Sequence, residues 1–384
     1  MKYGIVDISN LYHRATHSVF SGADAFTKSG MALHIVFRSM RKMFREHKID
    51  HFVFAVDTKS WRYEIFPEYK AKRRLDRLNK TAKEKEDNQV LFDTLNDFID
   101  FISEKTQCTV LKTNPIEADD FVARWIQTHP ADEHIIISGD SDFIQLLDTN
   151  VSIYDGVNDR TIKTTGVFEK EEMIFSIKPK DGKIKILDSV SKAKKQFDAE
   201  QSKKEKEYLV EQKKLYALNS SHIPQPFEYK EFEYSLENEW WKKALFIKCI
   251  RGDVGDGIFS AYPGARYNGN VKKTGICEAW EDRISKGYNY NNFMLQRWNK
   301  LVFENGEKKS VETTAKKEYE FNRILIDLTC QPDYIKEIMD KEIEKSIDKK
   351  VVGHIGLAFL KFCAKHSLNN LSKEAEDHVK YLRV

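Results

Sequence analysis

Nine acidic side chains stand where they could act together. Asp7 closes the apolar run Tyr3-Gly4-Ile5-Val6, Asp57 closes Phe52–Val56, and Asp140 and Asp142 follow Ile135–Gly139. Glu117, Asp119 and Asp120 come just after the Thr109–Leu111 run, where a helix begins. Asp253 and Asp256 lie three apart between Gly252, Gly255 and Gly257, which permit tight turns and close backbone approach. An aspartate at a strand end is often only a helix cap, and acids at a helix start suit its dipole. Capping does not explain the joint set. So many like charges at one rim would repel and raise one another's pKa unless cations neutralise them. With no His or Cys in the set, the ligands are hard oxygens, which suits two Mg²⁺ (or Mn²⁺) over zinc. Two such ions activate a water and stabilise the leaving oxygen of an in-line phosphoryl displacement.

A basic, aromatic segment lies beside these acids. Residues 59–86 hold ten Lys or Arg against five acids, a local +5, with Trp61, Tyr63, Phe66 and Tyr69 interleaved. The cations would hold a phosphate backbone that the acids alone would repel, and the aromatics could stack on unpaired bases. After the Gly-Asp motif, Arg266, Lys272 and Lys273 lead into a helix expected near Gly275, which suggests an amide-lined turn for a phosphate.

Something must bring these residues together. The first 155 residues alternate short apolar runs (3–6, 52–56, 109–111, 135–137, 151–154) with helical spacings such as Leu33, Val36, Phe37, Met40 and Phe44. That rhythm predicts an α/β fold, a parallel sheet with helices on both faces. In an open sheet of this kind ligands bind beyond the carboxyl ends of the strands, where the acids fall. Residues 178–214 hold twelve lysines and read as an exposed insertion, a helical excursion or a partly disordered loop. From about 238 the chain is predicted helical again, with helices at 275–284, 293–302, 319–328 and 355–363 interrupted at RGDVGDGI.

Composition bounds the reading. The chain has 384 residues, enough for two or three domains, with 41% hydrophobic and 32% charged residues and a net charge of +3. There is no apolar run near the ~20 residues a membrane helix needs, and the N-terminus lacks a signal-peptide pattern. Five scattered cysteines without a CxxC pair point to reduced thiols in an intracellular protein. The expectation is a cytoplasmic protein that meets no membrane.

The sequence resembles the structure-specific 5′ nucleases, the flap endonuclease and 5′→3′ exonuclease superfamily, and within it the branch typified by the T-even phage ribonuclease H. The residues that carry the resemblance are IVDISNLYHR, FAVDTKSWRYEIFPEYKAKR, EADD at 117–120, SGDSDFIQLL at 138–147 and RGDVGDGI at 251–258. It spans roughly 1–165 and 240–380, with FNRILIDLTCQPDYI matching the phage branch's late segment. It implies a parallel-sheet, PIN-like nuclease core over 1–165 with a helical arch at about 59–90. A lysine-rich insertion would follow at 166–238, then a helical domain over 239–384 with a helix-three-turn-helix module at about 250–300.

By resemblance, Asp7, Asp57, Glu117, Asp119 and Asp140 would gather at a first metal. Asp142, Asp253 and Asp256 would lie nearer a second, with Asp120 close by. Lys70 and Arg73 match the arch cations that approach the scissile phosphate, so the catalytic set is Lys70, Arg73, Asp140 and Asp142. Arg62, Tyr69, Lys70, Arg73, Arg74, Lys272 and Lys273 are the expected nucleic-acid contacts. The module grips duplex backbone and, in this family, binds K⁺ through carbonyls. Implied partners are branched or flapped DNA and RNA–DNA hybrid, met by a monomer beside single-strand-binding protein in a phage-infected host's cytoplasm. Two departures stand out. The turn from Ser260 to Gly275 is longer than the compact family form, and the insertion at about 168–238 has no counterpart.

Three rival readings weigh less. An aspartyl-phosphate phosphatase needs a second Asp two residues after the first, where this chain has Ser9. A PIN-type ribonuclease shares the sheet and acids but usually lacks the long arch and the Gly-Asp module. A catalytically silent binder of branched DNA would have lost metal ligands, and every expected acid is present.

Overall fold

The computed structural model describes residues 1–19, 22–180, 183–233, 239–264, 275–285, 293–304, 307–347 and 351–384. The five apolar runs are strands β1 (Lys2–Asp7), β2 (His51–Ala55), β3 (Thr109–Leu111), β4 (Glu133–Ile137) and β5 (Val151–Asp155). They pair in parallel in the order β3-β2-β1-β4-β5. Near-continuous Val, Ile and Phe suit strands covered on both faces, and Ile5, Phe52, Val53 and Ile136 are fully buried. Strand order reverses between β1 and β4, so the carboxyl ends of these two frame the crevice where such sheets take ligands.

Helices α1 (Ile8–Ser18) and α2 (Ala25–His47) follow β1, and α3 (Arg62–Ile65), α4 (Ala71–Leu78) and α5 (Ala82–Lys105) follow β2. Helix α6 (Ala118–Thr128) joins β3 to β4. The 3,1,3 spacing of Leu33, Val36, Phe37 and Met40 becomes the buried stripe of α2, packed with Phe98, Ile99 and Ile102 of α5. The two ends of α5 differ. Its start is exposed and closed by a capping box between Thr81 and Glu84, while its second half is core.

The sheet does not end at 165, as the sequence reading had it. Strands β6 (Arg160–Lys163), β7 (Gly166–Glu169), β8 (Glu172–Lys180) and β9 (Lys183–Ser189) continue it as an antiparallel meander. Helix α7 (Val190–Leu218) follows. The β7–β8 turn places Lys170 and Glu171 at φ 46° and 68°, a conformation that Gly or Asn usually announces. The residues there carry no such signal, so the hairpin was hidden.

The C-terminal region holds α8 (Trp240–Arg251), α9 (Ile276–Ser285), β10 (Arg297–Glu304), β11 (Glu307–Thr314), α10 (Ala315–Ile326) and α11 (Asp333–Ile347). The helix expected over 293–302 is instead largely β10, paired antiparallel with β11 in a register from Arg297↔Thr314 to Glu304↔Glu307. The Asn305-Gly306 step between the strands is a hairpin signature that outweighs the apolar spacing. The last helices, α12 (Ile355–Lys365), α13 (Asn369–Lys373) and α14 (Ala375–Leu382), return to the nuclease core. Phe362 stacks on Phe101 with ring centroids 4.6 Å apart, and Phe359 meets Phe37 at 5.3 Å. Among the described residues no helix is long and apolar enough to cross a membrane.

Candidate active site

The strand ends bring the expected acids to one rim. Asp7 closes β1 and caps α1, its carboxylate accepting from the Asn10 N–H at 3.0 Å. Asp57, just past β2, accepts the Ala118 N–H at 2.9 Å, which ties it to the first turn of α6. That turn carries Asp119, with Glu117 as its N-cap residue. Asp140 opens the short 3₁₀ turn Ser141–Leu146 and accepts the Asp142 N–H at 3.0 Å. Burial, then the neighbouring Asp57 and Asp140, push Asp7 up to about 8. Burial, then Asp7, Asp57 and Asp140, raise Asp119 well above the carboxylate range, and burial with Asp142 raises Asp140. None of Asp7, Asp57, Asp119 and Asp140 makes an ion pair among the described residues.

The remaining acids of the rim are held by cations. Lys70 Nζ lies 2.5 Å from Glu117 Oε1. Burial alone would raise Glu117, but Lys70 and Arg62 pull it below its ordinary range. Lys248 of α8 spans Asp142 at 2.5 Å and Asp253 at 3.0 Å, and Arg73 pairs with Asp256 at 2.9 Å. Gly252 makes this turn possible, because a Cβ there would collide with the carbonyls of Ile258 and Phe259. Lys70 itself takes a left-handed φ of 52°, strain of the kind that clusters at functional positions, and donates its N–H to the Asp256 carbonyl at 2.8 Å.

Among the described residues no three acidic, His or Cys side chains are drawn together as a ready-made metal shell. Lys70, Lys248 and Arg73 stand against four of the carboxylates instead. The donor set still fits a hard divalent cation. Every donor is a carboxylate oxygen, and burial together with the neighbouring carboxylates raises Asp7, Asp119 and Asp140, a cost that a bound cation relieves.

Three sequence expectations are corrected here. Asp120 is fully buried and does not face the rim. It takes a bidentate pair from Arg62 at 2.8 and 2.9 Å, the Trp61 Nε1–H at 2.9 Å and the Gln331 amide at 3.2 Å, which uses both its oxygens. Arg62 is correspondingly spent on Asp120, Glu117 and the Leu325 carbonyl, with 2% of its surface exposed, so it cannot contact a phosphate. Tyr69 is buried too, its hydroxyl donating towards Glu117 and Asp256, and Trp61 lies wholly in the core. The aromatic run roots the arch and is not a platform for bases. Phe66 packs edge-on to Phe321 at 6.0 Å and Tyr63 to Tyr69 at 5.6 Å.

The arch cations do reach solvent. Arg73 and Arg74 are exposed on α4, and Arg74 also clamps the carbonyls of Tyr69 and Pro67. Lys272 and Lys273, and most of the long turn on which the K⁺ site would rest, lie outside the described residues. Sequence reasoning missed Lys248, which looks like any helical lysine until its position five residues before Asp253 is weighed. It also missed Arg14, whose guanidinium lies where a Cβ on Gly139, the residue before Asp140 in sequence, would stand. Here the glycine of the SGD step was the available signal.

The raised carboxyls have a consequence for stability. Between the ordinary carboxylate range and about pH 8 the folded chain keeps a proton on Asp7 that the unfolded chain has released. Stability without metal should therefore fall as pH rises through that window. Asp119→Asn removes a neighbouring charge, so in chelator it should melt higher than the parent at about pH 8 and match it near pH 5. A difference that does not change with pH would remove the mutual-repulsion account.

Two solved structures share the fold. The phage T5 D15 protein co-crystallised with metal ions superposes with a TM-score of 0.51 at 15% identity, covering 91% of this chain and 99% of that one. The T5 5′-exonuclease with bound divalent zinc ions gives 0.52 at 16% identity, with the same coverage. Residues 2–173, which carry Asp7 through Asp142 and the arch, match the family of 5′-3′ exonuclease N-terminal, resolvase-like domains. A doubly wound sheet with an acidic rim under a basic arch thus coincides with the stretch of the chain that matches the 5′-3′ exonuclease N-terminal, resolvase-like domain.

Proposed function

We propose that the chain is a divalent-metal-dependent 5′ nuclease that hydrolyses phosphodiesters of RNA–DNA hybrids, duplex 5′ ends and 5′ flaps. The observation that carries the reading is the uncompensated group Asp7, Asp57, Asp119 and Asp140, set directly beside Lys70 and Arg73 at the foot of an exposed arch. Asp7, Asp57, Asp119 and Asp140 would hold one Mg²⁺ or Mn²⁺, with Glu117 alongside, and Asp142, Asp253 and Asp256 a second. Divalent ions there supply Lewis-acid activation of water and neutralise charge at the leaving oxygen. The divalent metal ions bound in the two T5 structures agree with this reading.

The chain's own groups do the rest. Lys70 and Arg73 release Glu117 and Asp256 to meet the scissile phosphate and offset its charge. Lys248, held above its ordinary pKa by Asp142 and Asp253 despite burial, stays protonated and keeps those two carboxylates oriented. The sheet floor beneath, with Ile5 and Ile136 fully buried, fixes the acids in place. Products carry 5′-phosphate and 3′-hydroxyl ends.

A panel of 5′ flap, RNA–DNA hybrid and single-stranded RNA in Mg²⁺ tests the substrate class. Flap and hybrid should be cut and single-stranded RNA spared. Cutting of single-stranded RNA alone would favour a PIN-type ribonuclease, and tight flap binding without cutting a branched-DNA binder. Replacing Lys70 and Arg73 together by Ala should lower cleavage and reduce the salt slope of binding by about 1–2, since each phosphate contact contributes roughly 0.9. An unchanged slope would take the arch out of the binding account.

A further inference from the structure

Helix α7 gathers six of its eight lysines on one face, with Lys194 and Lys204 outside it. At ~100° per residue, Lys192, Lys195, Lys203, Lys206, Lys213 and Lys214 fall on one face about 100° wide. The five acids of the helix lie outside that arc, with Glu200, Glu207 and Glu211 on one flank and Asp198 and Glu205 on the other. All six lysines are exposed. A face whose only task is solubility gains from interleaved opposite charges at i,i+4; here lysines stand three apart at 192/195 and 203/206, and Lys203 reaches the flanking Glu207 at 4.0 Å.

The opposite face is anchored, so the lysine stripe is what the helix turns outward. Gln201 and Gln212 are buried there, and Gln212 accepts from or donates to His222 at 2.7 Å. Residues 219–233 run back along this side, bringing Phe227 to Tyr208 at 5.7 Å and Phe232 to Phe197 at 5.5 Å. The helix also packs on β8, which in turn packs on α8, the helix that carries Lys248 to the acidic rim. From Lys192 to Lys214 the stripe runs about 33 Å at ~1.5 Å per residue, close to the roughly 34 Å of one duplex turn.

We propose that this stripe is a second duplex-binding surface, which holds the sugar–phosphate backbone of double-stranded nucleic acid away from the point of cleavage. The proposal rests on the nuclease reading above and adds a site that lies outside residues 2–173. A row of ammonium groups without intervening acids matches a row of phosphates and has no means of reading bases, so the contact is independent of sequence.

The test uses the full chain with Lys195, Lys203, Lys206, Lys213 and Lys214 changed to Gln. A control carries the same number of changes at exposed lysines elsewhere: Lys341, Lys345, Lys361, Lys373 and Lys380. Binding is measured in chelator against salt, on a duplex of about 40 base pairs and one of about 10. On the long duplex the stripe variant should bind about ten- to a hundredfold more weakly, with a salt slope shallower by about 3–4. The control should keep the parental slope, and all three proteins should cut a short flap equally in Mg²⁺. A stripe variant with the parental slope on the long duplex overturns the proposal, as does an equal loss in the control. If the parent neither cuts the flap nor binds the duplex, the nuclease reading fails and takes this one with it. If it cuts the flap while the stripe variant binds like the parent, only the stripe fails.

Discussion

Asp142→Asn should lower the single-turnover cleavage rate at least about a thousandfold while leaving duplex affinity in chelator within a few fold. The Asn keeps the volume of a half-buried side chain, and the backbone N–H that Asp140 accepts is unchanged, so the 3₁₀ turn keeps its start. Lys248 keeps Asp253 as a partner at 3.0 Å, so no cation is left stranded. What is lost is one anionic oxygen from the second group of acids. A catalytic metal contributes several kcal/mol of transition-state charge stabilisation, and each ~1.4 kcal/mol is a factor of ten in rate. Cleavage at the parental rate would mean that Asp142 serves only to pair Lys248.

The second large effect falls on stability. Arg62→Ala should cost about 3–5 kcal/mol, because it leaves Asp120 fully buried and without its cation. The loss should appear as a lower unfolding midpoint in urea. Arg62→Met with Asp120→Leu should recover much of it, because a well-packed apolar pair can match a buried ion pair. A single variant that melts with the parent would contradict the burial and bidentate geometry of the pair. The double variant also separates roles: if Asp120 were a metal ligand, activity would not return along with stability.

That pair marks the limit of what the sequence made legible. The five parallel strands and the rim acids could be read directly, because buried strands write continuous apolar runs and the acids stand at their carboxyl ends. The direction in which a side chain points within a helix turn could not. Asp119 and Asp120 are neighbours in EADD, yet one faces Asp7 and the other faces the core, and only the packing of Arg62, Trp61 and Gln331 decides which. Tyr69 and Trp61 misled for a similar reason. Aromatics among cations read as a base-stacking surface, whereas their apolar area is spent on fixing the arch to α10 and its neighbours.

The meander and the C-terminal return were also obscured. The links from β6 to β7 (Thr164-Thr165) and from β7 to β8 (Lys170-Glu171) lack the usual Gly or Asn, while the Asp181-Gly182 step between β8 and β9 was a hairpin signal left unread. The tail's Phe359, Phe362 and Tyr381 look like a local helix face until they meet Phe37 and Phe101 more than 250 residues earlier. Lys248 was hidden because its partner Asp142 lies 106 residues away.

The central claim is that the carboxylate rim cleaves phosphodiesters through divalent metal. Its most direct measurement is single-turnover cleavage of a 5′-labelled flap by the purified chain, first in chelator and then across an Mg²⁺ titration. The account expects no cutting in chelator, and cutting that rises with Mg²⁺ and releases products with 5′-phosphate ends. Cleavage that persists undiminished in chelator, or none at any Mg²⁺ or Mn²⁺ concentration, would contradict it.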